Sequence, residues 1–187
     1  MSDRTLKTMK MPYLLAAVAL VGGAFISGAA VAEAKEHGTV TMQGSIIDTA
    51  CAIEMASLYQ HIEMPPLPVG QIIRDGFGPG VPFSIHLSDC TLHHQNPALP
   101  DWSTFQVTFD GSVTNNGLFG VQGRAEGVGL RITDERGAVA QPGYPMALRD
   151  LQTGDMSLNF TLNLAGNHER LRSGDYRTTI RFKLDYY

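Results

Sequence analysis

Apolar residues recur at every second position in run after run of this chain, and that pattern leaves little besides β-strand for those runs to form. Phe83, Ile85 and Leu87 alternate with Ser84, His86 and Ser88, and Phe105, Val107 and Phe109 follow the same rule. So do Val128, Leu130 and Ile132, then Leu158, Phe160, Leu162 and Leu164. Near the start, Val40, Met42, Gly44 and Ile46 alternate with Thr41, Gln43 and Ser45; near the end, Tyr176, Thr178, Ile180, Phe182, Leu184 and Tyr186 share one register. A strand turns successive side chains to opposite faces, so a period of two means strands with one face buried. Asp75-Gly76, Asp110-Gly111, Asn115-Asn116-Gly117, Arg136-Gly137, Gly166-Asn167 and Ser173-Gly174-Asp175 punctuate the runs as turns. Short strands at such spacing predict an all-β sandwich. Candidate helix is confined to a turn or two over Glu54–His61, a stretch that reads equally as strand, and Pro65–Pro68 and Pro97–Pro100 read as loops.

The first 32 residues stand outside this pattern. Arg4, Lys7 and Lys10 precede an apolar run from Met11 to Val31, closed by Ala30-Val31-Ala32. A charged end, an apolar middle and small residues at −3 and −1 are the order of an export signal. The run is long enough to span a bilayer, but Gly22, Gly23, Ser27 and Gly28 interrupt it, and the A-x-A close favours cleavage after residue 32. A second A-x-A places an alternative cut after Ala34. Removing residues 1–32, with three basic residues and one acidic, takes the formal charge from −4 to −6. An acidic chain without a Lys/Arg cluster argues against nucleic acid as a partner. Cys51 and Cys90 are the two cysteines, both in the exported part. An isolated pair in an oxidising compartment predicts one disulfide; a metal or redox site calls for closer spacing.

Several segments then resemble one family, the type 1 and P-pilus fimbrial subunits assembled by a periplasmic chaperone and an outer-membrane usher. Residues 38–53, from Gly38 to the first cysteine and Ile53, resemble that family's N-terminal extension and first strand. Phe83–Cys90 resembles the strand that delivers the second cysteine, and Phe105–Gly111 a central strand. Gly174, fourteenth from the last residue, and the penultimate Tyr186 match the family's C-terminal signature.

The resemblance implies an immunoglobulin-like sandwich that lacks its last strand and is completed by a donor strand from a partner. It divides the chain into an export signal (1–32), an N-terminal extension (33–46) and a pilin domain (47–187). Val40, Met42, Gly44 and Ile46 are the implied donor face, with Gly44 where a side chain would clash with the acceptor's core. Gly174, Tyr176, Thr178, Ile180, Phe182, Leu184 and Tyr186 are the implied groove wall, and Tyr187 the carboxylate held by basic residues of the chaperone. Nothing follows the last strand pattern to pair with its edge. Implied partners are the chaperone, the usher and neighbouring pilins; the implied destination is the cell-surface fimbrium.

Among the family's subunits the chain looks most like the P-pilus terminating and anchoring subunit, on Asp75–Pro79, Val107–Gly111 and Lys183–Tyr186, although only Glu33–His37 precede Gly38. An adaptor or rod pilin is the alternative within the family. A tip adhesin is disfavoured, because the 155 residues after the signal (187 minus 32) leave no room for a receptor-binding domain.

The residues predict no enzyme and no cofactor. His93-His94, with His86 and Asp89, is the best metal candidate, but the ligand spacing of a structural site is missing, and it reads as a polar loop. There is no G-x-S-x-G elbow, and Gly120, Gly123, Gly127 and Gly129 lack the Lys-Ser/Thr ending of a phosphate loop. Outside the family, the competing class is a periplasmic binding module, which would be a stable monomer.

Overall fold

The four clearest alternations become the long strands of two facing sheets. In the computed structural model, which describes residues 41–43 and 47–187, these are β2 (Val81–Cys90), β3 (Thr104–Asp110), β6 (Val128–Asp134) and β8 (Gly154–Gly166). The remaining elements are β1 (Ala52–Ile53), α1 (Met55–Leu58), α2 (Val69–Asp75), β4 (Phe119–Gly120), β5 (Gln122–Gly123), β7 (Arg149–Asp150), β9 (Tyr176–Arg177) and β10 (Arg181–Tyr186). One sheet runs β1-β2-β8-β6-β4, the facing sheet β10-β3-β7, and β5-β9 forms a short pair beside them. Every strand pairing is antiparallel.

The core lies where the inward residues meet. Ile85 and Leu87 from β2, Leu130 and Ile132 from β6, and Leu158, Phe160, Leu162 and Leu164 from β8 oppose Phe105, Val107 and Phe109 from β3, all buried. Phe109 stands edge-on to Phe160 at 5.0 Å, and Phe83 stacks on Phe160 at 5.4 Å, the offset arrangements that aromatic rings favour. Cys51 and Cys90 form the expected disulfide, and both are buried in the same core.

Late in β8 the alternation lapses, because Leu162, Asn163, Leu164 and Ala165 are all buried. The segment after α2 runs antiparallel beside this end of β8: Gly78 N–H donates to the Leu164 carbonyl (2.8 Å), Phe77 bridges Ala165, and Asn163 Nδ2 donates to the Gly78 carbonyl (3.1 Å). Helix α2 itself was not expected from the sequence. Its stop is Gly76, whose φ of 79° is the left-handed cap and whose N–H bonds the Ile72 carbonyl. Asp75-Gly76 is thus a helix end and not a strand turn. Helix α1 falls within the expected 54–61 window.

Candidate functional site: an unpaired strand edge

β10 is the edge of its sheet. It pairs with β3 in a single register from Arg181↔Asp110 through Phe182↔Phe109 and Leu184↔Val107 to Tyr186↔Phe105. The bonds continue one residue further, where Tyr187 N–H donates to Thr104 O (2.8 Å) and Thr104 N–H to Tyr187 O (3.0 Å). Two residues that exchange both bonds are a hydrogen-bonded pair, and such pairs recur at every second residue of an antiparallel ladder. Residues 181, 183, 185 and 187 therefore spend their backbone groups on β3. The N–H and C=O groups of Phe182, Leu184 and Tyr186 point the other way, and no backbone partner meets them among the described residues.

The same parity sets the side chains. Phe182, Leu184 and Tyr186, with Ile180 just ahead, pack half-buried against the core, whereas Arg181 and Lys183 are exposed. Phe182 meets Phe109 at 6.4 Å, and Tyr186 lies 6.3 Å from both Phe105 and Trp102. One face of β10 thus combines partly covered apolar side chains with unpaired backbone. The Tyr186 hydroxyl is buried without a well-formed hydrogen bond. Burial pushes its pKa above the ordinary tyrosine value, and the nearby Thr49 hydroxyl offsets this only in part.

A second apolar row runs into the Pro65–Pro68 loop. Ile62, Met64 and Leu67 are half-buried and pack against the core, while His61, Glu63, Pro65, Pro66 and Pro68 between and around them are exposed. The alternation of Ile62 and Met64 was the available signal, masked by Pro65-Pro66.

The other residues singled out in the C-terminal stretch sit elsewhere. Tyr176 pairs with Gly123 in the β5-β9 ribbon, and Thr178 Oγ1 donates to the Gly120 carbonyl (2.8 Å). Gly174 is pressed onto the Arg124–Ala125 backbone, where a Cβ would meet Arg124 C at 2.6 Å. Arg124 Nη2 donates to Asp175 Oδ2 at 2.5 Å, and this bond holds the Asp175 carboxyl below its usual range. Burial raises the Tyr176 pKa. A break at 178–180 thus splits the single C-terminal run into a pinned part and an open-edged part. Tyr187 O also accepts the Ser103 N–H (2.6 Å), which ties the last residue to the strand before β3.

Of the expected donor residues, Val40, Gly44 and Ile46 lie outside the described residues, and Met42 is 89% exposed. The histidines do not converge. His86 Nδ1 lies 2.9 Å from Ser157 Oγ, His93 Nδ1 2.9 Å from Asp101 and His94 Nδ1 3.2 Å from Asp48. Among the described residues no three His, Cys, Asp or Glu side chains are placed to hold a metal ion.

Comparison with known proteins agrees with this architecture. The profile described as fimbrial protein matches residues 40–187. The PRS fimbrial minor pilin protein of Escherichia coli is 32% identical over 157 residues, covering 81% of this chain and 80% of that protein. The major MR/P fimbria protein of Proteus mirabilis (strain HI4320) is 31% identical over 176 residues, covering 92% and 97% respectively. The crystal structure of the P pilus rod subunit PapA superposes with a TM-score of 0.65 at 17% identity, covering 74% of this chain and all of that one (100%). The fold is accordingly the incomplete immunoglobulin-like sandwich expected from the sequence.

Proposed function

The chain belongs to the fimbrial protein family, as a structural protein and not an enzyme, and from that premise we propose that it is a minor pilus subunit joined to its neighbours by donor-strand complementation at the β10 edge. The observation that carries this reading is the shared parity of β10: Phe182, Leu184 and Tyr186 present core-facing side chains and unpaired backbone to one side. A strand laid there gains backbone hydrogen bonds and buries alternate side chains, a known mode of peptide recognition of which pilin assembly is an instance. Ile180 extends this wall, and Gly174, Tyr176 and Thr178 anchor its start.

In this reading residues 1–32 are removed on export and residues 33–46 serve the next subunit, with Val40, Met42, Gly44 and Ile46 facing its groove. A periplasmic chaperone fills the β10 edge first, and its basic residues meet a Tyr187 already tethered through Ser103 and Thr104. The usher then receives the complex, and the product is a surface fimbrium. Likeness to minor pilins favours a terminating and anchoring place at the base of the rod. Likeness to a major fimbrial protein favours a rod or adaptor place, the second reading.

The test is strand exchange on the purified complex with the cognate chaperone. A peptide copying the major pilin's extension is added and chaperone release followed. Release assigns an internal or adaptor subunit. A complex that forms through β10 but never exchanges assigns a terminator. A chain that stays a stable monomer with no chaperone would refute the reading altogether.

A further inference from the structure

Strand β2 offers a further edge, and side chains fill much of it. Along β2 the residues paired with β8 alternate with residues whose backbone groups face outward. Glu54 N–H donates to His86 O (3.0 Å), so His86 faces outward, and by the two-residue repeat Ser84 and Pro82 do as well. β1 covers only Leu87 and Ser88. Beyond it no strand pairs with β2 among the described residues, yet most of the outward groups are occupied. His86 N–H donates to Ser57 Oγ at 2.9 Å, and Gln60 Nε2 donates to Ser84 O at 2.8 Å. At the third position Pro82 has no N–H to offer. Its place on the outward side also explains why a proline sits in a ten-residue strand without breaking a bond to β8. Only the Ser84 N–H and the Pro82 carbonyl are left without a partner among the described residues.

Ser57 is a buried polar residue, 2% exposed, in a helix of four residues. α1 therefore has a use that its length would not suggest: it turns a hydroxyl onto the flank of β2. An unpaired strand edge is a template for another copy of the same chain. We propose that Ser57, Gln60 and Pro82 act together as a cap that makes β2 refuse a strand, so that strand addition goes to β10 and not to the β2 edge. The excluded occupant is the β2 edge of a second copy, which would pair antiparallel about a two-fold axis near Ser84. This rests on the strand-accepting role of β10 and adds a source of specificity to it: assembly proceeds from one edge because the other is filled by side chains of its own chain.

Disulfide trapping tests it. Ser84→Cys reports pairing through β2 between copies, and Lys183→Cys, tested with an extension peptide that carries one cysteine, reports strand addition at β10. Each reporter is placed in the natural background, in Gln60→Ala, and in Gln60→Ala with Ser57→Ala and Pro82→Val. Gln60 is exposed, so its single variant keeps the fold even where the triple variant does not. The expected result is weak copy-to-copy trapping at 84 in the natural background and a rise of roughly fivefold in its rate for each hydrogen-bonding cap removed, accompanied by faster amide exchange at His86 when Ser57 is replaced. Trapping at 84 that is equal in all backgrounds overturns the cap. Absence of trapping at 183, with failure to capture an extension peptide, overturns the role of β10 instead, and leaves trapping at 84 to judge the cap separately.

Discussion

Two neighbouring prolines in β10 are expected to fail in opposite ways. Lys183 N–H is committed to the Thr108 carbonyl by the register, whereas Leu184 N–H points to the free side. Lys183→Pro removes a ladder bond and leaves an acceptor of β3 unpaired, which costs about 1–3 kcal/mol of unfolding free energy relative to Lys183→Ala. Leu184→Pro removes no bond of the folded domain. Its preceding residue is already extended, as proline requires, so it should lie within about 0.5 kcal/mol of a Leu184→Ala control. Capture of an added strand should reverse the order. Leu184→Pro withholds a donor from the incoming strand and sets a ring on the docking edge. It should therefore weaken capture by about 1–3 kcal/mol beyond the alanine control, which is roughly 5- to 150-fold. Lys183→Pro should weaken capture no more than its loss of stability dictates. Urea unfolding and fluorescence titration with an extension peptide measure the two quantities. Amide exchange adds a check without mutation: Phe182, Leu184 and Tyr186 should exchange quickly until a strand is bound, and Lys183 and Asp185 slowly throughout. If the two prolines cost the same in both assays, or if the even-numbered amides are protected in the free protein, the parity assigned to this edge is wrong.

Replacing Cys51 and Cys90 by alanine frees a loop closed across 39 residues, so urea unfolding should show a loss of about 4 kcal/mol from loop-closure entropy; a loss under about 1 kcal/mol would mean the unfolded chain is already constrained. Tyr186 and Tyr176 are held neutral by burial, with folded pKa values above those of the unfolded chain. Their contribution is therefore complete below about pH 10 and is lost as pH rises through the folded values. Tyr186→Phe should flatten that alkaline loss and, since the hydroxyl lacks a good partner, should not destabilise the protein at neutral pH; an unchanged alkaline profile would show that this tyrosine does not titrate late. Gly174→Ala drives a Cβ into the Arg124–Ala125 backbone and should cost about 1–3 kcal/mol, read as a lowered urea midpoint; an unchanged midpoint would mean the two segments part easily.

Much of the architecture could be read from residue order, because burial on one face imposes a period of two wherever a strand is long. β2, β3, β6 and β8 each carry that signature. The two-residue strands β1, β4, β5, β7 and β9 do not, since a pair of residues has no period and joins a sheet only where a longer neighbour places it. Helix α2 was missed because Asp75-Gly76 serves equally as a turn or a helix stop; Pro68 just before it and Gly76 just after are the asymmetric signals that mark a helix. Pro65–Pro68 is the loop expected, but the prolines hid the half-buried Ile62 and Met64 just before it.

Residue order is enough to specify a disulfide-linked β-sandwich whose C-terminal run lies with its apolar side inward, because alternation and cysteine content are local properties. It could not tell which backbone groups of that run remain free, because hydrogen-bond parity belongs to a pair of strands and depends on the register with β3. Nor could it distinguish Ser57 in α1, or Gln60 just after it, from any other polar residue. Only the tertiary fold brings them to the flank of β2, more than 20 residues away in the chain, and thereby leaves one edge closed and the other open.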